Sequence, residues 1–292
     1  MAGPDVDAPT GRLIRAGGTT APGEVPDVVR NALNWFALSA ASANVVMQLS
    51  LLPVGRGVAE SRVDSGRVDR HPIKRGRTTL GYIAVAWHGT DHEREVLREE
   101  VNKQHRQVRS PPSSEVKYNA FDRRLQLWVA ACLWKGTQDV VEVLYGNVGS
   151  QALDDLYRHA SRFATTLQVP PDMWPADRDA FEKYWREAIE DLSMDKVTRP
   201  YLRGMATLAF LPAPLRWVFG PTNRLFTLGW LPPEFRELLG LPWTERDQRR
   251  FDRACRRAAR INRVLPPVLR AWPWNMYLWD ARRRIHKGRP FV

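Results

Sequence analysis

The sequence predicts an all-α fold arranged as a single-domain helical bundle. Three observations support this expectation. Apolar residues recur at helical spacing in most segments, period-two alternation is scarce, and Pro-rich turns such as VPPDMWP, LPAP and LPPE separate the candidate helices. The 292 residues include 43% hydrophobic side chains, enough to bury a core, and show no internal repeat.

Residues 1–26 are rich in Gly, Pro, Ala and Thr and read as a loose N-terminal arm, which leaves 27–292 as the helical domain. The first helix is expected over roughly 28–52. It overlaps the uncharged run 31–55, long enough to cross a bilayer, but Asn31, Asn34, Ser39, Ser42, Asn44, Gln48 and Ser50 are scattered through that run and favour a buried helix. The loop VGRGVAESRVDSGRVDRHPIKRG follows, and a second helix begins near Arg75 and runs through TTLGYIAVAWHG. A third covers 91–108, free of Gly and Pro, and is ended by the prolines of SPPSSEVKY. Asn119 as N-cap, with Asp122 three residues on, opens a fourth, whose buried face holds Leu125, Trp128, Val129, Cys132 and Leu133. Further helices are expected at 150–168, 177–192, 197–210 and 244–265. In the last, Phe251, Ala254, Cys255, Ala258 and Ile261 form one apolar face and arginines fill the rest.

Composition narrows the function classes. Two cysteines without a CxxC pair exclude a disulfide framework and suit a reducing compartment, and the acidic, Pro-containing N-terminus does not read as an export signal, so the cytoplasm is the expected location. Twelve Trp favour wide interior contacts or the walls of a roomy apolar pocket. The net charge of +12 is concentrated: from Thr244 onward thirteen Arg and one Lys face four acids, which supplies +10. Nucleic acid or anionic lipid is one partner for such a surface, but a solvated helix face accounts for it and no nucleic-acid motif accompanies it. GxGxxG, P-loop, HExxH and GxSxG motifs are absent.

On the third helix Val96, Leu97, Val101 and Val108 define a narrow apolar stripe, and His105 falls within it, four residues after Val101. An inward imidazole needs a hydrogen-bonding partner or a metal. On the second helix Arg75, Thr79, Tyr82 or Ile83, and Ala86 align, so a guanidinium and a hydroxyl face the interior and require an anion or carbonyl there. His88 and His92 have zinc-compatible spacing, but Gly89 between them marks a helix end and no third ligand is apparent; Cys132 reads as core.

Taken together, RGRTTLGYIAVAWHGTDHE, the helix ending HRQVRS, and YNAFDRRLQLWVAACLW resemble the haem-dependent oxygenase family that includes the latex-clearing rubber oxygenase and the membrane-bound oxygenase of mycophenolic acid biosynthesis. That family's pattern is R-x-x-x-T, a helix with H-x-x-V-R, then Y-x-A-x-D with W-V downstream. The matching residues are Arg75 with Thr79, His105 with Val108 and Arg109, and Tyr118, Ala120 and Asp122 with Trp128 and Val129. ANVVMQLSLLPVGRGVAES is similar to the family's first helix and turn, so the resemblance spans about 30–150.

The resemblance implies an all-α, globin-like class of fold enclosing a haem b pocket, with His105 on the iron. It also implies that Arg75 and Thr79 orient bound oxygen or anchor the haem, and that Lys74, Arg75 or Arg77 meet the propionates. Glu60 lies in about the region of a glutamate that the rubber oxygenase uses as its proposed base; a solvated loop glutamate is the competing reading. Many relatives carry a second histidine where this chain has Ala130, so no role transfers to that position. The expected activity is a haem-dependent oxidoreductase using dioxygen on an apolar small-molecule substrate. A non-catalytic haem carrier or gas sensor would use the same residues, and a basic helical protein binding nucleic acid or anionic lipid would use the C-terminal arginines instead.

Overall fold

The computed structural model describes residues 26–60 and 72–290. The expected N-terminal arm, and most of the charged loop after Glu60, lie outside the described residues. Within them the regular structure is helical, and the only strand-like contact is an isolated antiparallel bridge between Arg109 and Asn119.

The long first helix is broken into α1 (Asp27–Ala32), a 3-10 turn (Trp35–Ala40), α2 (Ala41–Leu49) and α3 (Leu52–Ala59). Asn34 makes the first break. Its buried carboxamide oxygen accepts from the N–H groups of Phe36 (3.0 Å) and Ala37 (3.2 Å), and its NH2 donates to the Ala32 carbonyl (2.9 Å), offering the backbone an alternative to helix continuation. Leu51 makes the second, with extended backbone before a first turn that contains Pro53. The segments on either side meet at 108°, and among the described residues no single helix is long and apolar enough to cross a membrane.

Two helices then form the wall that matters for function. α4 (Pro72–His88) and α5 (Asp91–His105) are joined at Thr90, whose hydroxyl accepts from the Glu93 N–H while the Glu93 carboxylate accepts from the Thr90 N–H, closing a capping box. α6 (Arg123–Tyr145) opens at Asp122 and not at Asn119: Asp122 accepts from the Arg124 N–H (2.8 Å), whereas Asn119 caps the preceding turn at Phe121 (3.0 Å). Next come α7 (Ser150–Ala160), α8 (Arg162–Thr165), α9 (Arg178–Glu190) and α10 (Thr198–Thr207).

Four helices occupy stretches read as turns or left unassigned: α11 (Ala213–Trp230), α12 (Pro233–Leu239), α14 (Pro267–Arg270) and α15 (Trp274–His286), with α13 (Glu245–Val264) as expected. Prolines in LPAP, LPPE and LPP stand in the first turns of α11, α12 and α14, where a missing N–H costs nothing, so they begin helices as well as end the preceding segments. α6 runs through the middle of the bundle, against α2, α8 and α13.

Of the two uses open to the tryptophans, interior packing is the one observed. They do not line a pocket but fill the solid core: Trp128 stacks on Trp185 (ring centroids 5.2 Å), Trp134 meets Tyr157 edge-on (5.3 Å), and Trp87, Trp128 and Trp134 are fully buried. Trp217, Trp272 and Trp279 stay exposed. On α13 the buried face turns from Cys255 and Ala258 to Asn262, not to Ile261, which is exposed, because the Asn262 side chain accepts a hydrogen bond from the Trp35 indole (3.2 Å).

Candidate functional site

A cavity of about 280 Å³ lies between α2, α3, α4, α5 and the start of α6. Most of its wall is apolar, from Leu49, Val54, Ile83, Val101, Val129 and Leu133 among others, and no Asp or Glu among the described residues lines it. Its polar groups include Lys74, Arg75, Thr78, Thr79 and Tyr82 from α4, Gln104 and His105 from α5, and Gln126 from α6. The tryptophan-poor lining replaces the Trp walls that composition suggested.

The helical registers explain which side chains arrive there. Arg75, Thr79 and Ile83 are spaced by four on α4 and all reach the cavity, joined by Thr78 and Tyr82. On α5, Leu97 is fully buried, and Val101 and His105, each four residues further on, turn into the cavity from the same stripe.

The His105 Nδ1 is buried with no hydrogen-bond partner among the described residues, and the ring meets Phe121 edge-on at 6.2 Å. Burial, and then the charge of Arg75, push the imidazole down to about 4, so at neutral pH it is uncharged with a free lone pair. Burial likewise lowers Arg75, whose favourable electrostatic neighbour is Tyr201; no carboxylate among the described residues pairs with it. The cavity thus holds cationic groups and a neutral imidazole, an environment that favours an anionic or metal-bearing guest.

The segments flanking α5 and α6 are tied together beside His105. Beyond the helix end, the Val108 N–H donates to the His105 carbonyl (3.0 Å), the Val108 carbonyl accepts from the Ala120 N–H (3.0 Å), and the Ser110 N–H donates to the Tyr118 carbonyl (2.9 Å). The H-x-x-V-R and Y-x-A-x-D stretches are therefore backbone partners, which the sequence does not reveal on its own. Sequence reasoning also missed Gln126. Its NH2 donates to the Ala120 carbonyl (2.7 Å) and to Gln168 (2.5 Å), its carbonyl accepts from the Gln168 N–H (3.0 Å), and Gln168 in turn donates to Asn102 on α5. This amide ladder braces α5 against α6 one turn before His105. The available signal was a glutamine inside an otherwise apolar helix face.

Lys74, Arg75, Thr79 and His105 are brought to one cavity; Arg77 and Glu60 do not line it. Exposed Lys74 stands at its rim. Glu60 lies instead on an outer groove of about 730 Å³, paired with Arg56 and accepting from Tyr118 Oη and Ser114 Oγ at 3.4 Å each. Tyr118, Gly57 and Val108 belong to both the groove and the cavity. Gly57 packs closely there: a Cβ would stand 3.3 Å from the Tyr118 ring. Arg56 also holds Asp195 (2.6 Å). Asp195 rests at about 2: burial would raise it, but the Thr198 N–H, Arg56 and the Val197 N–H outweigh that. Arg109 is exposed on the groove, and Ala130 is buried in the core and does not line the cavity. His88 ends α4 and exposed His92 opens α5, and no metal-holding group of His, Cys, Asp or Glu occurs among the described residues. Cys132 is fully buried, with burial pushing its thiol up.

Comparison with known proteins agrees with the motif order. Residues 29–260 match the family described as ER-bound oxygenase mpaB/B′/rubber oxygenase, catalytic domain. Two relatives, the uncharacterized protein Mb2261 of Mycobacterium bovis and the uncharacterized protein Rv2237 of Mycobacterium tuberculosis, are each 49% identical over 253 residues, covering 86% of this chain and 98% of the relative. No solved structure matches. The chain belongs to the oxygenase catalytic-domain family of ER-bound mpaB/B′ and rubber oxygenase.

Proposed function

We propose that this oxygenase-family protein is a cytoplasmic, haem b-dependent oxidoreductase that uses dioxygen on an apolar organic substrate, with His105 as the protein ligand to iron. The observation that supports this most is the buried Nδ1 of His105, without a hydrogen-bond partner among the described residues, in a cavity that also contains the Arg75 guanidinium, which no carboxylate among the described residues pairs.

The residues fit the group by donor type. One neutral imidazole suits b-haem iron, and Arg75 and Lys74 are the cations to meet propionates. The cavity volume is close to the lower end of ligand pockets, roughly 300–1,000 Å³, with Lys74 at its rim. When bound, haem supplies the redox chemistry toward dioxygen.

The chain's own residues do the rest. His105 binds the iron, and the ladder from Gln126 through Gln168 to Asn102 keeps its helix in place. Arg75 offers charged donors from α4, and Thr79 one turn on offers a hydroxyl. Val54, Ile83, Val129 and Leu133 exclude water and accept an apolar substrate. Glu60 acts at a distance, by holding the Tyr118 hydroxyl at the cavity's edge.

The test is the optical spectrum of the purified protein reconstituted with haemin, before and after dithionite, followed by oxygen uptake with apolar substrates. A Soret band that His105→Ala abolishes, together with substrate-dependent oxygen consumption, is expected. No Soret band, or an unchanged one in His105→Ala, would overturn the iron assignment; haem without turnover would indicate a carrier or sensor.

A further inference from the structure

The end of the chain presents an apolar surface that the fold leaves uncovered. Val264 at the end of α13 is 81% exposed, Val268 on α14 is 70% exposed and Trp279 on α15 is 59% exposed; Leu269, Trp272 and Met276 between them are also open. Large side chains grouped within one short stretch differ from the scattered single apolar residues that any surface carries. The fold does not need them outside. α15 uses its other face for packing, where Leu278 and Ala281 meet Tyr82 and Val85 of α4. Trp279 and Met276 are what remains on the side turned away.

Cations stand on the same helices. Arg256, Arg257, Arg260 and Arg263 are exposed along α13 with no carboxylate partner among the described residues, and the Arg283 guanidinium sits over the Trp279 ring at 5.3 Å. Asp280 is already paired with Arg284 (2.9 Å). The chain from Thr244 onward holds a net +10. Apolar side chains that project between unpaired arginines match a surface that is anionic on top and hydrocarbon beneath: arginines stay with phosphate while Trp and aliphatic groups enter the headgroup boundary. A nucleic acid would satisfy the arginines but leave the valines and tryptophans against phosphate. A second copy would set +10 against +10.

We propose that the exposed face formed by the end of α13, α14 and the outer side of α15 docks the protein on an anionic phospholipid bilayer as a peripheral, non-spanning contact. The docked face lies one helix away from α4, which carries Arg75 and Thr79. The inference does not depend on haem.

The experiment is co-sedimentation of the full chain with phosphatidylcholine vesicles containing phosphatidylserine, with phosphatidylcholine alone as comparison. Binding to the anionic vesicles that weakens with added salt is expected. Arg260→Gln with Arg263→Gln should weaken it roughly tenfold, and Val264→Ser with Val268→Ser and Trp279→Ser at least about tenfold. All are surface changes, and unchanged helical circular dichroism verifies folding. Failure to bind phosphatidylserine vesicles at low salt would overturn the proposal. So would binding indifferent to the Val and Trp changes, which would mark a general polyanion surface, or self-association abolished by the same changes, which would mark a dimer face.

Discussion

The N–H of Ala120 donates to the carbonyl of Val108 at 3.0 Å. Through this bond the segment leaving His105's helix is held to the segment entering α6, so the imidazole-bearing helix end cannot drift from the cavity wall that Leu125 and Val129 supply. The sequence distance between the two residues hides this pairing.

Arg75 is deeply set with no acid beside it among the described residues. Arg75→Met should therefore raise the stability of the ligand-free chain, on the order of 1–2 kcal/mol, while weakening haemin retention. Urea midpoints and haemin titration of the same variant check both arms; a variant less stable than the parent would show that the guanidinium already has its partner.

Glu60 contacts Tyr118 but not the cavity. Glu60→Gln should keep the full haemin stoichiometry and the same Soret position while slowing turnover, whereas His105→Ala loses the haem. Equal loss of haem in both variants would place Glu60 in the binding shell.

Gln168 sits between Gln126 and Asn102. Gln168→Leu leaves a buried carboxamide without its partners and should cost about 1–3 kcal/mol, read as a lower denaturation midpoint, with faster haemin loss because α5 is less firmly held. A stability loss with unchanged haemin off-rate would limit the ladder to folding.

His88 and His159 are both held down to about 4. For His88 the cause is burial, then the charges of His159, Arg162 and Arg282; for His159 it is burial, then Arg162 and Arg94, opposed by the bond to the Trp87 carbonyl (2.8 Å). The unfolded chain takes up these protons near 6.5 and the folded one near 4, so protonation favours unfolding. Stability should be constant above about pH 6.5 and fall as the pH drops toward 4, by on the order of 2 kcal/mol per histidine. Urea midpoints across this range measure it, and His88→Gln with His159→Gln should flatten the slope.

The fold class, the helices from 72 to 145 and the inward face of His105 were legible because each rests on local periodicity and capping. Arg75 and Thr79 were legible for the same reason. What was hidden depends on contacts between distant segments. The break at Asn34 needs a buried carboxamide that caps from within. The helices after residue 212 need prolines understood as starts. Asn262 is buried against Trp35, a residue 227 positions away. The tryptophans could fill a core or line a pocket, and composition alone cannot separate the two. The sequence offered Glu60 as a base by family position or as a loop glutamate; its neighbours Arg56 and Tyr118, which the sequence does not show, decide what it faces.

Tyr118 is the shared partition between the polar outer groove and the apolar inner cavity, seated on a glycine that gives its ring room. With Val108 and Gly57 it walls both compartments, so a single substitution at this phenol alters a polar and an apolar surface at once.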